Sequence, residues 1–285
     1  GDRGSYSYLA TQKYFSRRPG DLLELGCQSF RDVVGKVENN EADYAVLPVE
    51  NTTSGSINEV YDQLQHTELS IIGELTHAIK HSLLVAKETT LANIKTLYAH
   101  PQVFTQCSHF LAELGNVEVK TMDATSSAML KVSELNRDDV AAIGSEAGGN
   151  LYGLFAIKSN LANQKENHSR FIVVAKQPVV VPLQVPAKTT FVMSTVQKPG
   201  ALVEALMVLK ENNINMTKLE SRPIPGNPWE ELFYIDVEGN TQDGPVQRAL
   251  VELKRITRYL KVLGCYPSEE INPTKVAASK ALTAG

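Results

Sequence analysis

Six consecutive positions, Glu50-Asn51-Thr52-Thr53-Ser54-Gly55, bring together a carboxylate, a carboxamide, three hydroxyls and a glycine. Such a set can hold an anion and handle a proton in one place. Four further clusters have the same character: His100-Pro101-Gln102 with Gln106 and Cys107, Asp123-Ala124-Thr125-Ser126-Ser127, Gly144-Ser145-Glu146-Ala147-Gly148-Gly149, and His168-Ser169-Arg170-Phe171. In the last, a hydroxyl and a guanidinium enter an apolar run, and the guanidinium fork suits a carboxylate. Each cluster also has a plainer reading. Thr53 or Ser54, and Thr125 or Ser126, would serve as ordinary helix caps. Gln106 would be a surface glutamine, and Arg170 a solvated arginine at a strand entrance.

The elements that must position these residues follow a strand-then-helix rhythm. Apolar runs at 22–25, 44–49, 69–72, 82–86, 96–99, 117–122, 140–143 and 171–175 read as strands. Amphipathic stretches after Ser29 and at 57–65 and 126–135 read as helices. The rhythm predicts parallel α/β packing, in which polar strand ends converge on one crevice. The 44–49 strand would lead through Glu50–Gly55 into the 57–65 helix, whose first N–H groups could take an anion. Helical spacing places Gln106 on the side of Gln102 and Val103. Residues 177–186 carry three prolines and read as a stiff, extended connector. Beyond them the order is strand 189–195, helix 201–212, strands 216–222 and 231–238, helix 245–258 and strand 259–265. That βαββαβ order is the ferredoxin-like plan. The expected organisation is a first domain over 1–176, a linker over 177–186, a second domain over 187–270 and a disordered tail over 271–285.

The 285 residues suffice for two or three domains. A net charge of −4 and a pI near 5.9 give no reason to expect nucleic acid. No apolar run reaches membrane-spanning length, and no signal-peptide core is present. The three cysteines, Cys27, Cys107 and Cys265, are far apart, and neither they nor the six histidines show metal-ligand spacing. Reduced thiols, a cytoplasmic location and no metal are therefore expected. The residues alone point to an α/β protein that binds a small anionic molecule.

Taken in order, the motifs go further. Glu50-Asn51-Thr52-Thr53-Ser54-Gly55, His100-Pro101-Gln102 with Gln106-Cys107, Gly144-Ser145-Glu146-Ala147-Gly148 and Ser169-Arg170-Phe171 resemble those of prephenate dehydratases. Gly200-Ala201-Leu202-Val203 and Glu220-Ser221-Arg222-Pro223 resemble the phenylalanine-binding motifs of the ACT domain that follows in that family. The stretches from Gly226 to Glu231 and Val262 to Pro267 are similar to the bacterial bifunctional chorismate mutase–prephenate dehydratases. Some positions depart from the pattern. The family's opening strand and the mutase helices are not in this sequence, which suggests a fragment of a longer protein. Ser169 stands where the family has threonine, Ala99 where it has serine, and Asp123 where it has glutamate.

The resemblance implies a two-lobed catalytic domain like a periplasmic binding protein, with crossings near 76–80 and 161–170, and an ACT regulatory domain. It implies conversion of prephenate to phenylpyruvate, with loss of water and carbon dioxide and without a cofactor. Ser169 would serve the leaving hydroxyl, and Arg170 would anchor a carboxylate or orient Ser169. Glu50, Asn51 and Gln106 would join them, with Thr52, Thr53, Ser54, Gly55, Asp123, Ser145, Glu146 and Phe171 around the substrate. L-Phenylalanine would inhibit at Gly200, Ala201, Leu202, Val203, Glu220, Ser221, Arg222 and Pro223 in a homodimer or homotetramer. The rival expectation is a non-catalytic sensor of a small acid or of phenylalanine, which turnover of prephenate would distinguish.

Overall fold

The computed structural model describes residues 1–16, 20–224, 226–227 and 230–269, in which the strands form three sheets. The 271–285 tail, Pro228 and Trp229 lie outside the described residues. The first region contains α1 (Tyr6–Phe15), α2 (Phe30–Glu38), β1 (Ala45–Asn51), β2 (Gly55–Ser56), α3 (Asn58–His66) and β3 (Ser70–Ala78). The second contains β4 (Ser82–Val85), β5 (Thr96–Ala99), α4 (Pro101–Gln106), α5 (Ser108–Leu114), β6 (Glu118–Thr121), α6 (Thr125–Leu135), β7 (Val140–Gly144), α7 (Glu146–Asn150) and β8 (Phe155–Lys158). The chain then returns to the first sheet as β9 (His168–Ala175). The third region is β10 (Ala187–Thr195), α8 (Ala201–Glu211), β11 (Met216–Pro223), β12 (Glu231–Glu238), α9 (Gly244–Ile256) and β13 (Thr257–Pro267).

The first sheet has the order β2-β1-β9-β3, and its recorded pairings are antiparallel. Alternation along β9 assigns its two faces. Phe171 and Val173 pack with Ala10 of α1. Ile172 and Val174 pack with Val34, Val60 and, from the third sheet, Val192, Tyr234 and Leu263. A Cβ at Gly264 would run into the Ile71 carbonyl oxygen, so glycine lets β13 lie directly on β3. The third sheet therefore packs directly on the first lobe.

The second sheet has the order β6-β5-β7-β4-β8, parallel only where β5 meets β6 and β7. The expected parallel packing is thus confined to three strands. The third sheet, β11-β12-β10-β13, is antiparallel and has the ferredoxin-like order, with α8 and α9 on one face.

Two further expectations are corrected. Residues 22–25 form no strand; Leu23 is 85% exposed, and the segment borders a cavity of about 770 Å³ beside β1. Apolar alternation makes a strand only where a neighbour supplies ladder bonds, and none does so among the described residues. The second correction is α3. It begins at Asn58, behind the two-residue β2, and its cap position, Ile57, makes no side-chain capping bond. The helix N-terminus is thus separated from the Glu50–Gly55 cluster.

Candidate active site

Asn51 organises the turn between β1 and β2. Its Oδ1 accepts the backbone N–H groups of Thr53 (2.9 Å) and Ser54 (3.0 Å) and the hydroxyls of Thr53 (2.6 Å) and Ser54 (3.1 Å). Two backbone donors on one atom identify that atom as the oxygen. The amide nitrogen therefore faces the other way. It lies 2.7 Å from Asn167 Oδ1, 3.1 Å from the His168 carbonyl and 3.0 Å from Ser169 Oγ. Gly55, at φ +80°, closes the turn in a conformation that glycine adopts readily. The Thr53 and Ser54 N–H groups are thus already bonded to Asn51, and the helix expected to take an anion through its first N–H groups begins apart from them, at Asn58.

These bonds define the hydrogen positions. Ser169 Oγ accepts from Asn51, and that is its one hydrogen bond among the described residues. Its own hydrogen remains free for a third group. Thr52 fixes the start of β9 from the other side: its N–H donates to the His168 carbonyl (2.9 Å) and its Oγ1 accepts the His168 N–H (3.0 Å). Register then brings Asn51 opposite Ser169.

The second lobe reaches this cluster through α4. Gln102 Nε2 donates to Ser54 Oγ (2.7 Å), and Gln106 Nε2 donates to Thr53 Oγ1 (3.0 Å). The i, i+4 spacing puts both glutamines on one side, while Val103 turns into the core of the second lobe. Gln106 Oε1 faces His81 Nε2 at 2.8 Å. Sequence reasoning missed His81 and Asn167. His81 stands alone in the crossing segment, and Asn167 two residues before Ser169, with no local pattern to mark either.

Glu50 and Arg170, cross-strand partners, point to the face of this strand pair opposite to Asn51 and Ser169. Arg170 donates to Glu74 (2.7 Å), Glu50 (3.1 Å), Asp236 (2.5 Å) and the Tyr266 hydroxyl (3.0 Å). Burial acts to lower its pKa, but Asp236, Tyr266 and Glu74 outweigh that and raise it. Lys188 also binds Glu74, and Lys218 binds Glu50. This is a charge cluster between the first lobe and the third sheet. Arg170, expected to anchor a substrate carboxylate or orient Ser169, is placed in this cluster and away from the Ser169 hydroxyl. Consecutive residues on a strand point apart, and the guanidinium is occupied. Glu50 is removed from the crevice for the same reason.

The remaining expected residues are dispersed. Phe171 packs on α1. Ser145 caps α7 by accepting the Gly148 N–H at 3.0 Å. Glu146 accepts from Ser82 (2.9 Å) and from Ser159. Asp123 stands near His100, whose burial lowers its pKa against the pull of that carboxylate. In the third domain Gly200 has φ +79° at the N-terminus of α8, followed by Ala201, Leu202 and Val203. Glu220 accepts from Ser56, and Arg222 makes two bonds to Asp62 (3.1 and 3.0 Å). Those two face the first lobe, whereas Ser221 and Pro223 are exposed on the other side of β11. Among the described residues no group of three or more His, Cys, Asp or Glu side chains is placed to hold a metal ion.

The charge cluster has a pH signature. Burial pushes the Glu50 carboxyl up, but Lys218 and Arg170 outweigh that and hold it below its ordinary value of 4.5. A depressed folded-state pKa adds stability above the unfolded value, and this is lost as pH falls through the folded one. Denaturant unfolding should find Glu50→Gln less stable than the parent at pH 6. The gap should close as pH falls below 4.5. A gap that is unchanged or wider in acid would contradict this assignment.

Two α/β lobes with a polar seam between them, carrying a ferredoxin-like module on one lobe, define the class: a two-lobed, periplasmic-binding-protein-like α/β protein with an ACT-like domain. The chain belongs to the prephenate dehydratase family, whose description matches residues 1–179. It is 56% identical over 275 residues to a bifunctional chorismate mutase/prephenate dehydratase of Enterobacter agglomerans, spanning 96% of this chain and 71% of that protein. The prephenate dehydratase of Arthrobacter aurescens in complex with L-Phe superposes with a TM-score of 0.84 at 27% identity, covering 94% of this chain and 88% of that one. GqqA, described as a quorum quenching acylase, gives the same TM-score at 31% identity, covering 94% and 96%. The activity of this chain is that of a prephenate dehydratase, a lyase of phenylalanine biosynthesis.

Proposed function

We propose that prephenate is converted to phenylpyruvate at the seam between the lobes, where Asn51, Thr53, Ser54, Gln102, Gln106 and Ser169 meet. The observation that carries this reading is the direction of the Asn51–Ser169 bond. Because Ser169 accepts from Asn51, its hydroxyl hydrogen can be aimed at the ring hydroxyl that must leave. A serine is too weak an acid to give up a proton outright at neutral pH. Its part is to stabilise the departing oxygen by a hydrogen bond while that oxygen takes up a proton from a solvent hydronium ion. The ring carboxylate leaves as carbon dioxide, its electrons complete the aromatic ring, and the hydroxyl leaves as water. The Thr52 hydroxyl, whose oxygen accepts the His168 N–H, and the Gln102 and Gln106 amides, once they part from Ser54 and Thr53, supply neutral donors to the two carboxylates. The glutamine contacts across the seam must part to admit substrate and re-form around it. Phenylpyruvate formation from prephenate by this chain tests the reading. Absence of turnover would favour the rival, a binding protein for a small acid.

Regulation by L-phenylalanine at the ACT-like domain is part of the same proposal, supported by the L-Phe complex of the Arthrobacter aurescens relative. Gly200 and the first N–H groups of α8 would take the amino-acid carboxylate, at an interface between two copies that Ser221 and Pro223 of β11 complete. Glu220 and Arg222, bonded to the first lobe, would carry the signal inward. A Cβ at Gly200 meets nothing within its own chain, so a larger residue there would obstruct a ligand or a partner copy, besides straining the φ +79° turn into α8. Gly200→Leu should weaken phenylalanine inhibition by about 5- to 150-fold, the usual span of allosteric coupling. Uninhibited turnover should stay within about twofold. Calorimetric binding of phenylalanine that is unchanged in the variant would overturn the assignment.

A further inference from the structure

We infer that His81, braced by Tyr6, is a positioning residue of the active site that sets the orientation of the Gln106 carboxamide. The inference rests on the reading of Gln106 as a site residue.

His81 lies in the segment that crosses from β3 to β4 and is 2% exposed. Its Nε2 is 2.8 Å from Gln106 Oε1, and its Nδ1 is 3.1 Å from the Tyr6 hydroxyl. The Tyr6 ring meets the imidazole edge-on at 5.7 Å, and the same hydroxyl lies 2.7 Å from the Lys80 carbonyl. Tyr6 belongs to the first lobe and Gln106 to the second, so His81 links both across their hinge.

The hydrogen bonds leave Gln106 one productive orientation. Asn51 Oδ1 is an acceptor, because two backbone N–H groups point at it. Thr53 has already given its hydroxyl hydrogen to that oxygen, so Thr53 Oγ1 is an acceptor towards Gln106. Gln106 must therefore present its NH₂ group to Thr53 and Asn51 and its oxygen to His81. An oxygen there needs a donor, so His81 carries its hydrogen on Nε2; as a neutral ring it presents Nδ1 as an acceptor to the Tyr6 hydroxyl, whose single hydrogen lies between Nδ1 and the Lys80 carbonyl. A flipped Gln106 would set its oxygen against two acceptors, beside the carboxamide that holds Ser169. The relay thus runs from Tyr6 through His81, Gln106 and Asn51 to the Ser169 hydroxyl. Nothing in it requires His81 to touch substrate.

Side-chain length supplies the test. A glutamine at 81 carries its amide nitrogen about as far as Nε2, whereas an asparagine reaches only as far as Nδ1. In steady-state prephenate dehydration, His81→Asn should lower kcat by about tenfold or more, as expected for a misplaced catalytic constellation. KM should stay within about threefold, because substrate binding is not what is lost. His81→Gln should recover most of the rate. In the His81→Asn/Gln106→Leu double variant, kcat should be no lower than in Gln106→Leu alone, because two residues on one path do not add. Normal kcat in His81→Asn, equal damage in His81→Gln, or multiplying effects would each overturn the inference. Should His81→Asn fail to fold, Tyr6→Phe carries the test: its rate loss should disappear in the Gln106→Leu background, and a loss that persists there would overturn the inference. Full turnover in Gln106→Leu would instead overturn the reading of Gln106. An impaired Gln106→Leu beside a normal His81→Asn would overturn only the role of His81.

Discussion

Ser169→Ala is expected to lower the rate of phenylpyruvate formation at least about 100-fold, the low end for a positioned proton-handling group. The substitution removes a hydroxyl whose oxygen is held by Asn51 at 3.0 Å and whose hydrogen is otherwise unused. The loss should fall in kcat more than in KM, because the bond to the departing oxygen strengthens as charge develops there. Packing should change little: Ser169 is buried, and alanine leaves the Asn51 amide two other acceptors, Asn167 Oδ1 and the His168 carbonyl. Ser169→Thr should keep most of the rate, since it restores the hydroxyl with one extra methyl. Stopped assays of both variants, with unfolding midpoints alongside, check this. An alanine variant with near-normal kcat would remove Ser169 from the chemistry. Glu50 would not take its place, since its carboxylate faces Arg170 and Lys218.

Arg170→Met should have the largest effect on stability, about 3–5 kcal/mol, the usual cost of deleting one partner from a buried ionic cluster. Glu74 and Asp236 are buried carboxylates that share this guanidinium, and Glu50 is a third, partly exposed partner. Lys188 and Lys218 would remain, but neither is recorded bonding Asp236. Arg170→Lys should recover only part of the loss, since an ammonium cannot span Glu74, Asp236 and Tyr266 as a planar fork does. Because the cluster joins β9 to β12 and β13, the damage should appear as separate unfolding of the third domain and of the first lobe. Denaturant unfolding followed by two probes, one in each domain, would show it. A variant of unchanged stability with a KM raised more than about tenfold would mean instead that Arg170 binds a substrate carboxylate.

The adjacent pair Ser169-Arg170 shows where sequence reasoning reached its limit. Both were read as serving one crevice, because a motif lists residues in order without saying which way they point. Strand alternation settles that a hydroxyl and its neighbour diverge. Only the packing of the third sheet on β9 shows what Arg170 meets. Its partners Glu74 and Asp236 lie 96 and 66 residues away. No local pattern could single them out.

What the sequence determined by itself is what depends on local chemistry and short period. The βαββαβ order of the last domain follows from alternating and helical periodicity. The turn at Glu50–Gly55 follows from its polar residues and glycine, and the pairing of Gln102 with Gln106 from helical spacing. The motif set was sufficient to identify the family. The tertiary structure decided everything that depends on a partner distant along the chain. It decided that residues 22–25 are not a strand, because a strand exists only through its neighbour's hydrogen bonds. It decided that Asn51 accepts the Thr53 and Ser54 N–H groups, and that the helix expected to take an anion begins apart from that turn. It also placed His81 behind Gln106, and turned Glu220 and Arg222 toward the first lobe. Propensity and spacing are properties of a short segment, whereas hydrogen-bond direction and charge pairing belong to surfaces that meet only once the chain has folded.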